Sequence, residues 1–130
     1  MRVYLDTNVL MDFFLERDHS AYEVLIRSLR CEFSIIISHV VLEELLFQGL
    51  APETRTFVSM FSGAEKLEII PTTEEDRKRA KEELGTKKTH YNDALHKVIA
   101  MNANVDVLVT KNVKHFKDFK DIVVRRPDEI

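Results

Sequence analysis

Arg2-Val3-Tyr4-Leu5-Asp6-Thr7-Asn8 opens the chain as a short apolar strand that stops on a carboxylate. Such an acid can cap the helical turn that follows, Val9–Leu15, or project into a site. Two later stretches repeat the arrangement. Phe33–Ser38 reads as an apolar strand buried on both faces, and it runs into a helix over Val40–Gln48 that carries Glu43 and Glu44. Asp93 starts a helix that ends near Met101 and leads into the strand Val107–Thr110, with Asn112 just beyond.

The intervening sequence fills in the alternation. Ala21–Leu29 is a helix with apolar Val24, Leu25, Ile26 and Leu29. Gly49 stops the helix that carries Glu44, and Pro52 starts the next, through about Phe61. Leu67–Ile70 is a third strand and Ile122–Val124 a fifth. A charged, exposed helix runs to about Leu84 before Gly85; Thr72 or Thr73 caps it, and Thr72 with Glu75 has capping-box spacing. Asn92 is the expected cap of the Asp93 helix. Strands alternating with helices predict an α/β fold in three layers, α/β/α, around a mostly parallel sheet of about five strands with right-handed crossovers.

Sheets of this kind bind ligands at the carboxyl ends of their strands, near a reversal in strand order. Asp6, Asn112, the start of the Glu44 helix and the N-terminus of the Asp93 helix all face that pole. Asp106 lies at the opposite pole and is discounted. Carboxylates gathered in one place repel one another and raise one another's pKa unless a cation is present. The cluster is therefore a candidate divalent-metal site. Oxygen ligands without cysteine suit Mg²⁺ or Mn²⁺, which can activate a water against phosphorus; that chemistry points to phosphodiester hydrolysis.

Composition narrows the class. The 130 residues, 45% hydrophobic and 32% charged, predict one domain, 1–130, with a single core. No apolar run approaches the ~20 residues that span a bilayer. The chain opens on strand-like sequence, so no secretory leader and a cytoplasmic setting are expected. Cys31 is the single cysteine and reads as a small buried apolar residue. The net charge of −3 excludes a generally basic nucleic-acid binder. Charge is nonetheless uneven: residues 1–60 hold five Lys/Arg against nine Asp/Glu, whereas residues 86–126 hold nine against four. That excess, with Lys87, Lys88, Lys111, Lys114 and Lys117, can guide a polyanion; the competing reading is a solvated face. Asp12 reads as a solvated or capping residue, the five histidines as surface or half-buried, and Phe13, Phe14, Phe33 and Phe116 as core.

Four stretches in order, Leu5-Asp6-Thr7-Asn8-Val9-Leu10, Ser38 through Glu44-Leu45, Asn92-Asp93-Ala94-Leu95, and Leu108-Val109-Thr110-Lys111-Asn112 with His115-Phe116, resemble the PIN-domain ribonucleases, including VapC-like toxins of toxin–antitoxin pairs. The resemblance covers essentially the whole chain. It implies metal-binding carboxylates at Asp6, Glu44 and Asp93, a fourth ligand at Asn112 and a small polar role for Thr110. Helix geometry alone leaves Glu43 and Glu44 open, since they point about 100° apart; spacing from Ser38 favours Glu44 by resemblance. Asn8 either caps the first helix or steers the Asp6 carboxylate. The family often has Asp where this chain has Asn112. The amide oxygen can still coordinate, but one charge is lost and a second metal binds more weakly; Asp118 is the substitute farther along. An antitoxin partner and a homodimer are further implications. Two other readings compete: a phosphoacceptor domain using Asp6 as nucleophile, and a catalytically weak scaffold that binds RNA or protein.

Overall fold

The computed structural model describes residues 1–84 and 90–130. Among them, five strands and six α-helices alternate: β1 Arg2–Leu5, α1 Thr7–Phe14, α2 His19–Leu29, β2 Ser34–Ser38, α3 His39–Phe47, α4 Ala51–Gly63, β3 Leu67–Ile70, α5 Glu74–Leu84, α6 Tyr91–Asn102, β4 Val107–Val109 and β5 Val124–Arg125. The sheet is parallel throughout, in the order β3-β2-β1-β4-β5. The order reverses between β1 and β4. With right-handed crossovers, that order puts α1–α4 on one face and α5–α6 on the other. The central strands are sealed on both faces: Val3–Leu5, Ile35–Ile37, Leu108 and Val109 have no exposed surface. No described helix is long and apolar enough to cross a membrane.

Local chemistry sets the element ends. Gly49, at φ +78°, closes α3: its N–H reaches the Leu46 carbonyl and that of Leu50 reaches Leu45. Cys31 corrects the expectation of a buried residue. It stands exposed at φ +66°, in the same left-handed position after α2, where Cys31 N–H bonds Ser28 and Glu32 N–H bonds Arg27. The capping box of α5 is Thr73 with Asp76, each backbone N–H donating to the other's side chain at 3.0 and 3.1 Å. His90, not Asn92, is the extended residue before α6, so Asn92 falls in the first helical turn. The fifth strand is Val124–Arg125, slightly later than Ile122–Val124, because its register is set by pairing with Leu108 and Val109.

Two charged residues are buried, and for Asp12 this corrects the expectation of a solvated or capping residue. Asp12 has no exposed side-chain surface and is held between Arg17 (Nη2 at 2.9 Å) and Lys111 (Nζ at 2.7 Å). Lys97, on α6, is 1% exposed; it pairs with Glu83 of α5 and, at 2.9 Å, with Asp121. Buried charges persist only with such partners.

Candidate functional site

Asp6 leaves β1 at the reversal point and caps α1 in extended geometry, φ −69° and ψ 153°. Capping and site placement are thus both realised. Its Oδ1 accepts the Thr7 N–H at 2.8 Å; its Oδ2 accepts the Thr110 hydroxyl at 2.8 Å and Asn8 Nδ2 at 3.3 Å. Thr110, fully buried after β4, also accepts from the Asn112 N–H at 3.1 Å. Asn8 Oδ1 accepts the Lys111 N–H at 3.1 Å. Asn8 and Thr110 therefore clip the ends of β1 and β4 together and aim the Asp6 carboxylate.

Asp6, Thr7, Asn8, Met11, Glu44, Gln48, His90, Asn92, Asp93, His96, Asn112 and His115 line one cleft of about 370 Å³. Glu44 faces it and Glu43 does not, which resolves the ambiguity between the adjacent acids. Asp118 is not among the lining residues. Lys111 is held against Asp12 and lies outside the cleft, and Lys114 is exposed outside it. Lys87 and Lys88 lie outside the described residues.

The largest departure from expectation is His96. It is 1% exposed, not half-buried. Its Nε2 stands 2.8 Å from Glu44 Oε1 and 3.5 Å from Asp6 Oδ1, and its Nδ1 bonds the Tyr4 hydroxyl at 2.7 Å. The position three residues after Asp93 puts both on one face of α6. That spacing was the available signal, but an isolated helix does not reveal that Tyr4 lies beneath it. Burial disfavours the charged imidazole most strongly, yet Asp6, Glu44 and Asp93 together outweigh it and raise the His96 pKa above 6.5. Asp93 is raised above 3.8, first by burial and then by Asp6, with His115, His96 and His90 opposing. His115 Nδ1 is 3.2 Å from Asp93 Oδ2.

Among the described residues no three acidic or histidine side chains stand together as a ready-made metal-binding group. Glu44 Oε1 instead stands 2.8 Å from His96 Nε2, and Asp93 Oδ2 stands 3.2 Å from His115 Nδ1. The donor chemistry nevertheless suits a hard cation. Three carboxylates and the Asn112 amide line the cleft, and burial, then the neighbouring Asp6, raises the Asp93 pKa there. Thr7 Oγ1, buried in the same lining, has no hydrogen-bond partner among the described residues. Mg²⁺ keeps several waters and needs only one or two carboxylates, so a loose oxygen set fits it.

No curated protein matches the chain by sequence. Solved structures share its fold. VapBC2 from Rickettsia felis, bound to a promoter DNA fragment, matches at 24% identity and TM-score 0.70, covering 97% of this chain and 98% of that one. VapBC-1 from nontypeable Haemophilus influenzae matches at 18% identity and TM-score 0.73, covering 99% and 100%. VapC20 from Mycobacterium tuberculosis, a toxin that cleaves the sarcin-ricin loop, matches at 13% identity and TM-score 0.62, covering 82% and 86%. The PIN domain profile matches residues 3–122, nearly the full length. With the four motifs, the parallel sheet and the acidic cleft at its reversal point, that match establishes that the chain belongs to the PIN-domain family.

Proposed function

We propose that the protein is a metal-dependent endoribonuclease and the toxin of a toxin–antitoxin pair. The observation that carries the nuclease reading is the arrival of Asp6, Glu44 and Asp93 at one cleft from three separate elements. These carboxylates, assisted by Asn112, would hold Mg²⁺ or Mn²⁺. When bound, the ion stabilises charge on the phosphate and lowers the pKa of the attacking water. The chain's own groups do the rest. Thr110 and Asn8 fix the Asp6 carboxylate, His96 fixes Glu44, and Asn92, Asn112 and Gln48 offer neutral hydrogen bonds to a phosphate or ribose. Exposed Lys114 and Lys117 favour RNA electrostatically.

The partner reading is supported by the shared fold with chains from toxin–antitoxin complexes. An apolar cleft of about 520 Å³, lined by Phe13, Phe14, Tyr22, Phe57 and Met60 among others, offers an amphipathic helix of an antitoxin a seat. Phe47, 89% exposed on α3, is a candidate homodimer contact. A phosphoacceptor role for Asp6 is less favoured, because Thr7 and Asn8 follow it and no second acid stands at the paired position. A weak scaffold is the second reading, and Asn112, with its missing charge, is what favours it.

The test is cleavage of a structured RNA pool by purified protein with Mn²⁺, Mg²⁺ or EDTA, beside Asp93→Asn. Metal-dependent cutting lost in the variant supports the nuclease. RNA retention without cutting under any metal supports the scaffold.

A further inference from the structure

Three buried polar groups form a line that the proposed chemistry does not by itself require. Ser38 Oγ is 2.7 Å from the Tyr4 hydroxyl, which is 2.7 Å from His96 Nδ1, and His96 Nε2 is 2.8 Å from Glu44 Oε1. Tyr4 and Ser38 have no exposed surface and His96 has 1%. Apolar side chains of similar size would fill these positions without the cost of burying polar atoms.

With His96 neutral, the donors run in one direction. An ionised Glu44 can only accept, so His96 Nε2 carries the hydrogen. In the neutral ring Nδ1 is then an acceptor, the Tyr4 hydroxyl donates to it, and Ser38 donates to Tyr4. Ser38 Oγ in turn accepts the Val41 N–H at 3.4 Å as the cap of α3. Every buried group is satisfied, and the line ends on a carboxylate at the water boundary, its side chain 32% exposed.

Each member also shares an element or junction with a cleft acid. Tyr4 is on β1, two residues before Asp6. Ser38 caps the helix that carries Glu44. His96 is on α6, one turn after Asp93. We propose that His96, oriented by Tyr4 and Ser38, is the positioning residue that presents Glu44 to the divalent cation and sets the spacing of the three acids; this rests on the metal-dependent reading above. Hydrogen-bonded outer partners of metal-binding carboxylates typically contribute about 10–100-fold in metal affinity or activity.

The experiment is calorimetric Mn²⁺ titration of the full chain, with chemical unfolding of the metal-free protein as a folding control. His96→Leu weakens Mn²⁺ binding about 10–100-fold, and His96→Gln, which keeps a donor for Glu44, recovers most of it. Tyr4→Phe removes one oxygen and weakens binding by several-fold. The double variant Tyr4→Phe/His96→Leu is no weaker than His96→Leu alone, because the hydroxyl acts only through the ring. If His96→Leu does not fold, Tyr4→Phe and His96→Gln carry the test. Wild-type affinity in folded Tyr4→Phe, or losses that add in the double variant, overturns the inference while leaving the metal site standing. A wild-type protein that binds no Mn²⁺ overturns the metal reading and this inference with it.

Discussion

Asp93 carries a charge that its surroundings resist, since burial and Asp6 both raise its pKa. Asp93→Asn should therefore stabilise the metal-free protein, by roughly 0.5–2 kcal/mol in urea unfolding, while removing metal-dependent cleavage. Opposed effects of this kind separate a site residue from a packing residue. Asn112→Asp adds the missing negative charge and should tighten Mn²⁺ binding and raise cleavage; unchanged titration curves would detach Asn112 from the site. His96 makes a pH prediction. Its folded pKa lies above 6.5, so its proton is held more tightly in the folded state. The corresponding stability is fully present below about 6.5 and is lost as pH rises through the higher folded value. In EDTA, Tm should fall across that window, and His96→Gln should flatten the fall.

Between elements, Lys97 joins α6 to Glu83 of α5 and to Asp121 ahead of β5. Lys97→Ala removes a buried cation from two ion pairs and should cost roughly 3 kcal/mol. Glu83 and Asp121 are 22% and 45% exposed, so water softens the loss. Lys97→Met, which refills the volume, should show whether packing or charge accounts for it by urea midpoint. At the other end of the sheet, Asp12 holds Arg17 of the α1–α2 turn and Lys111 beyond β4. Lys111 thereby closes the α1 side of the fold, which is a different task from the phosphate contact its sequence position suggests.

Across the whole molecule, acidic residues outnumber basic ones in residues 1–60, and basic ones outnumber acidic ones in residues 86–126. Folding places the acidic cleft where both parts meet, because β1 and β4 are neighbours in the sheet. Substrate attraction should therefore come from the C-terminal segment. Lys114→Glu should raise KM for RNA with kcat nearly kept, and the effect should shrink with added salt, as measured by initial rates at two ionic strengths.

The parallel sheet is legible in the sequence, because strands buried on both faces must be apolar runs and β1, β2 and β4 are such runs. Asp6 and Asp93 were legible too, since strand and helix ends face a known pole. Glu44 was separated from Glu43 only by resemblance until the cleft itself was in view. Asp12, Cys31 and His96 were misread for one reason. Periodicity reports which side of an element a residue occupies, but not what the neighbouring element presents to it. Asp12 needed Arg17 and Lys111, Cys31 needed the left-handed close of α2, and His96 needed Tyr4 and Glu44, which lie 92 and 52 residues away in sequence. Local pattern determines which elements form and where they end, because those choices depend on neighbours in the chain. Which buried polar groups meet is decided by packing, because their hydrogen-bond partners come from elsewhere in the fold.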